Sequence, residues 1–163
     1  MADHGTVLAR REAGAVRFFF YGTLLDGSDN PVAARAHRKL RALGPATVTG
    51  ELHAVPDPQG WYPALLTGTG AVRGLVYESG GRFGAADLAR LDAYEDCDPA
   101  NPGGSLYLRV EVEAAMAGGG TCPAQVYLYN RSLPAGSRPI AAGDFRSWLA
   151  RNRAGAFGGR HGA

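Results

Sequence analysis

Glycine limits the folds open to this chain more than any other residue. It fills 24 of the 163 positions and is joined by 10 prolines. That glycine share is roughly twice the ~7% of an average domain, so the chain turns often and is a poor candidate for a helical bundle. The length suits one domain, since about 150 residues is the usual size. Hydrophobic content of 45% and charged content of 20% lie near globular averages and exclude a fibre, a disulfide scaffold and wholesale disorder.

The pattern along the chain is α+β. Met1 to Ala15 shows no period and reads as a flexible arm, and residues 154–163 read as a disordered tail. Between them, 16–153 form a single domain. Val16 to Tyr21 is a short, nearly continuous apolar run that predicts a strand buried on both faces. Asn30 and Pro31 cap and start a helix expected to run to about Leu43. Thr47 to Val55, Ala64 to Thr67 and Val72 to Tyr77 read as strands, with turns at 56–60 and 69–70. A helix follows from Ala85 to Tyr94 or Glu95. Leu106 to Ala114 alternates with period two, as a half-buried strand does, and Ala124 to Tyr129 returns after the glycines at 118–120. Ile140 to Arg153 predicts a last helix. Strands and helices do not alternate strictly, which favours a curled, mostly antiparallel sheet over a doubly wound one.

Several partner classes find no support. The net charge is +2, and 16 of the 17 basic residues are arginine, Lys39 being the exception. They are scattered rather than gathered in a stripe with aromatics, so no nucleic-acid surface is expected. No apolar run reaches the roughly 18 residues of a membrane span, and the expected location is the cytoplasm. Cys97 and Cys122 lack metal-ligand or CxxC spacing and read as buried or incidental thiols.

Two places stand out chemically. Leu88, Leu91 and Glu95 fall at i, i+3 and i+7, which puts the Glu95 carboxylate on the apolar arc of its helix. A carboxylate in apolar surroundings either finds a partner or moves towards neutrality, and a glutamate poised near pH 7 suits general acid/base work. The alternative is a Glu95 past the helix end, solvated or paired with Arg109. The second place is Tyr21-Gly22-Thr23-Leu24, a strand end whose successive backbone amides can form a nest for an anionic oxygen, or which is simply a turn.

Taken together these segments resemble a known family. Phe18 to Leu24 is similar to the (V/F)-x-Y-G-(T/S)-(L/N) signature of the gamma-glutamylcyclotransferase-like family, which includes avirulence-induced plant proteins. Further landmarks follow in order: Gly50-Glu51-Leu52, Tyr62-Pro63-Ala64-Leu65, Gly74-Leu75-Val76-Tyr77, Leu91-Asp92-Ala93-Tyr94-Glu95 for L-D-x-(Y/F)-E, Tyr107-Leu108-Arg109-Val110, Val126 to Tyr129 and Gly143-Asp144-Phe145. The resemblance spans about Phe18 to Trp148.

The resemblance implies a compact, barrel-like α+β fold whose central pocket joins the Tyr-Gly-Thr-Leu loop to the glutamate. It implies conversion of a γ-glutamyl amine or amide to 5-oxoproline and free amine, with no cofactor and no metal. Glu95 would be the acid/base; Tyr21, Gly22, Thr23 and Leu24 would hold the substrate, with Tyr129, and after it Tyr62 or Tyr107, as hydroxyl donors. The implied partner is a small γ-glutamyl molecule, and a domain of this size can serve as a monomer. A non-catalytic binding domain of the same fold is the alternative. The chain departs from the pattern at Asp96, where many members carry glycine, and in a longer loop from Cys97 to Ser105.

Overall fold

The computed structural model describes residues 15–25, 27 and 30–157. Among the described residues six strands form one sheet: β1 Arg17–Phe20, β2 Leu40–Asp57, β3 Gly60–Ser79, β4 Tyr107–Met116, β5 Thr121–Tyr129 and β6 Arg138–Pro139. The order β3-β1-β5-β4-β2 closes on itself because β2 also pairs with β3, giving a five-stranded barrel with β6 as an extra strand on β2. All pairings are antiparallel except β1 with β5. Among the described residues there are three α-helices, α1 Pro31–His37, α2 Ala85–Tyr94 and α3 Phe145–Asn152, and a 3-10 turn at Pro102–Gly104. The expected fold class, a compact and mostly antiparallel α+β barrel, is the one observed.

The apolar run does what its composition demands. Phe18, Phe19 and Phe20 have no exposed surface, because β1 is flanked by β3 on one side and β5 on the other and both its faces are covered. β4 obeys its alternation only at one end. Glu111 and Glu113 are exposed while Tyr107, on the same face, is fully buried. The strand runs from solvent into the site end of the barrel.

Tertiary pairing corrects several local expectations. α1 stops at His37 rather than near Leu43, because Lys39 closes a turn onto Ala36 and the chain from Leu40 pairs with Ser79 and its neighbours. The expected pieces at 47–55, 64–67 and 72–77 are parts of one long β2–β3 hairpin. Its turn lies at 58–59, and the expected turn at 69–70 is a bulge, with Thr49 paired to Ala71 and Glu51 to Leu66. α3 begins at Phe145, not Ile140. Ile140 donates to the Leu52 carbonyl, and Gly143 turns the chain at φ +69 with its Cα against the Ala71 carbonyl, where a Cβ would lie 2.0 Å from that oxygen. Asp144 then caps the helix at the Ser147 amide.

The expected arm at 1–15 lies almost entirely outside the described residues, as does the expected tail beyond Phe157. The earlier part of that tail, Gly155 to Phe157, is not loose. It pairs with Trp61 through two backbone hydrogen bonds and buries the Phe157 ring. A glycine-rich composition suggests disorder there, but an edge of β3 is available to bind it.

Candidate active site

The helix end and the strand end meet. α2 finishes with the Glu95 amide donating to the Leu91 carbonyl at 3.1 Å, and Asp96 reverses the chain in the left-handed region at φ 48. Asp96 is exposed while Glu95 has no exposed surface at all. The backbone therefore turns one carboxylate to solvent and the next one inward. Glycine adopts φ near +48° without strain and aspartate tolerates it, so the reversal persists in this chain despite the departure from the family pattern. The solvated alternative for Glu95 is excluded by its burial. Arg109 is turned onto Asp92 instead, with its Nε donating to Oδ1 at 2.9 Å and Nη2 to Oδ2 at 3.4 Å.

Tyr94 ties this helix end to the loop. The amide of Asn30 donates to the Tyr94 hydroxyl, which lies 2.9 Å from Thr23 Oγ1. The same Asn30 caps α1 by accepting from the amides of Val32 and Ala33. The loop is a turn closed by Leu25 N donating to the Gly22 carbonyl at 3.1 Å, and His37 Nε2 donates to the Leu24 carbonyl at 2.6 Å. Leu24 itself is buried, so this residue offers the loop only its backbone.

Tyrosines line the interior around Glu95. Tyr21 donates to the Tyr127 carbonyl and Tyr107 to the Pro63 carbonyl, each at 2.6 Å. Burial pushes both phenols well above their ordinary value; the Glu95 carboxylate raises that of Tyr21 further, and Tyr21 and Glu95 raise that of Tyr107. Tyr127 is raised by burial and then by Asp92, to which its hydroxyl donates at 2.7 Å. These hydroxyls are neutral donors at any physiological pH. Tyr129 stands across from Tyr107, ring centroids 5.4 Å apart at 70°, and its hydroxyl meets that of Tyr62. Glu95, Tyr21, Thr23 and Tyr129 are thus gathered at one end of the barrel, Thr23 through Tyr94 and Tyr129 through Tyr107.

Two clefts border this assembly. One of about 450 Å³ is lined by Gly22, Thr23, Phe145, Leu149 and Phe157 among others. The other, about 1100 Å³, opens between α2 and the loop after Cys97, with Tyr62 on its wall. Cys97 and Cys122 are both buried free thiols. Among the described residues, no three His, Cys, Asp or Glu side chains gather as a metal site, and no helix is long and apolar enough to cross a membrane.

Asp92, Arg109 and Tyr127 form a network that the sequence reading did not single out. The signal was present. Asp92 is i+4 from Leu88 and three residues before Glu95, so it shares their arc of α2.

The profile of the gamma-glutamyl cyclotransferase, AIG2-like family matches residues 18–147. The chain belongs to this family. Solved structures agree on the fold. An AIG2-like protein from Mus musculus superimposes with TM-score 0.56 at 25% identity, covering 74% of this chain and 80% of its own. A gamma-glutamyl cyclotransferase gives 0.51 at 17%, covering 77% and 71%. An uncharacterised protein from Pyrococcus horikoshii gives 0.53 at 18%, covering 85% and 96%. A search of curated proteins returns no match. As a family member the chain falls in a general enzyme class, with the cyclotransferase type of fold.

Proposed function

We propose that this member of the family is a cyclotransferase acting on a γ-glutamyl amine or amide. The observation that carries the reading is the enclosure of Glu95. It is fully buried on a helix end that Tyr94 pins to the Tyr-Gly-Thr-Leu turn, with the hydroxyl-bearing side chains of Tyr21 and Tyr107 around it.

The nucleophile is the substrate's own α-amine, so no serine or cysteine is needed. The protein's first task is to fold the γ-glutamyl chain so that amine and γ-carbonyl meet, which converts a difficult encounter into a proximate one. Glu95, as carboxylate, takes a proton from the α-ammonium. The amine nitrogen then bonds to the γ-carbonyl carbon, and the carbonyl oxygen becomes an oxyanion held by backbone amides of the Gly22 to Leu24 turn. As the bond to the departing nitrogen breaks, Glu95 returns its proton to that nitrogen. Tyr129 and Tyr62 orient polar groups of the substrate. The ring nitrogen still carries a second proton after ring closure; it yields this to Glu95, again a carboxylate, which passes it to the departing amine. Two protons thus move in turn from the α-nitrogen to the leaving nitrogen, and the products are 5-oxoproline and the protonated free amine. The proposed location is the cytoplasm, where such a protein would meet γ-glutamyl compounds.

The test is a panel of γ-glutamyl amines and γ-glutamyl amino acids, with 5-oxoproline followed for the wild type and Glu95→Gln. Activity in the wild type and loss in the variant are expected. Thermal stabilisation by a γ-glutamyl compound with no 5-oxoproline from the wild type identifies a non-catalytic binding domain instead.

A further inference from the structure

A fully buried Glu95 raises the question of how anything reaches it. The strap that follows α3 is the segment placed to answer. The Trp61 amide donates to the Gly155 carbonyl at 2.9 Å, and the Phe157 amide donates to the Trp61 carbonyl at 2.6 Å. This is a single parallel bridge added to the edge of β3 at Trp61. Its backbone pairing is these two hydrogen bonds, with the buried Phe157 ring as its anchor, where the barrel strands are held by continuous ladders. A three-residue segment with one buried ring can open at less cost than a barrel strand whose whole ladder must break.

The strap touches both halves of the candidate site. On one side the Phe157 ring lies against Tyr62, centroids 5.9 Å apart at 65°, and Tyr62 in turn meets Tyr129. On the other side, Gly155, Ala156 and Phe157 line the same cleft as Gly22 and Thr23. The hairpin turn is shaped to receive it. Gly60 has φ +127, and a Cβ there would lie 2.8 Å from the backbone carbon and oxygen of Ala156. Its missing side chain lets two backbones touch.

We propose that Gly155–Phe157 is a lid on the cleft that Gly22 and Thr23 line, and that Phe157 leaves Tyr62 to admit the γ-glutamyl substrate and returns to seal the site from water. The role in turnover rests on the cyclotransferase reading; the motion itself does not. A closed lid favours ring closure, because the competing nucleophile for the γ-carbonyl is water.

Hydrogen exchange on the full chain tests the motion directly. In the wild type, the Trp61 and Phe157 amides should exchange faster than barrel amides such as Val76, without global unfolding. Phe157→Ala removes the buried ring and should speed exchange at the Trp61 amide by about tenfold or more, while Phe157→Tyr restores the wild-type rate. Saturating 5-oxoproline should slow exchange at both positions. If the Trp61 and Phe157 amides of the wild type exchange only with the barrel, the strap is a fixed wall and the lid is overturned. That measurement needs no variant to fold. Exchange of the expected kind in a protein that makes no 5-oxoproline keeps the moving strap and sinks the cyclotransferase reading. Turnover with a strap that exchanges only with the barrel does the reverse.

Discussion

Among the described residues two glutamates are buried, near opposite ends of β1, and they are held in different ways. Glu78 faces Arg17 across the β1–β3 ladder and Arg41 across the β2–β3 ladder, at 3.2 Å and 3.5 Å. Glu95 lies among phenols at the end of α2. The arginine that reaches this end, Arg109, is committed to Asp92. A helix carbonyl end is an unfavourable place for negative charge, and so is a dry interior. The Glu78 arrangement is what a barrel does with a carboxylate it uses for structure. The Glu95 arrangement is intelligible as one that keeps a proton acceptor beside hydroxyl donors.

Exchanging each carboxylate for its amide separates the two. Glu95→Gln should cut 5-oxoproline formation by about 10²- to 10⁴-fold, the usual weight of a general acid/base, with the melting temperature unchanged or raised. Glu78→Gln should do the opposite, costing about 3–5 kcal/mol in denaturant unfolding because Arg17 is left buried without its partner, at unchanged turnover per folded molecule. If Glu78→Gln abolishes turnover in folded protein, the contrast collapses. Asp92→Asn probes the network beside Glu95. Loss of charge-assisted bonds to Arg109 and Tyr127 should cost about 2 kcal/mol, readable by the same unfolding titration.

Alkaline titration sharpens the tyrosine side. Tyr21, Tyr107 and Tyr127 have phenol values raised in the folded chain, by burial first. The folded chain then keeps protons that the unfolded chain gives up near pH 10. Stability is intact below that pH and falls above it, by up to about 1.4 kcal/mol per pH unit for each such tyrosine. Tyrosinate absorbance should rise together with unfolding; a smooth rise for all seven tyrosines in folded protein contradicts the burial. The smallest effect belongs to the reversal after Glu95. At φ 48, Asp96→Ala should be less stable than Asp96→Gly by about 1 kcal/mol, the cost of a Cβ in the left-handed region.

Legibility in the sequence followed the range of the interactions. α2 and its inward carboxylate were readable because the i, i+3, i+7 spacing of Leu88, Leu91 and Glu95 is local. The β1 run was readable because four consecutive apolar residues tolerate only burial on both faces. α1 and α3 were over-extended by five or six residues because Leu40 and Ile140 have partners far along the chain, Ser79 and Leu52. The bulge at 67–70 carried the same glycine that a turn would use. Asp92 was missed beside a more conspicuous Glu95, although its helical position was available.

By itself the sequence determined the α+β character, the family and the two segments that carry the candidate site, since these rest on composition, short-range period and motif order. Only the tertiary structure decided that β2 and β3 close the barrel, that Arg109 turns to Asp92 rather than Glu95, and that Gly155 to Phe157 fold back over Trp61. Each of those choices is a competition between partners distant in the chain. Pairing of that kind is settled by which buried polar groups can all be satisfied at once, and no window of sequence contains the competitors together.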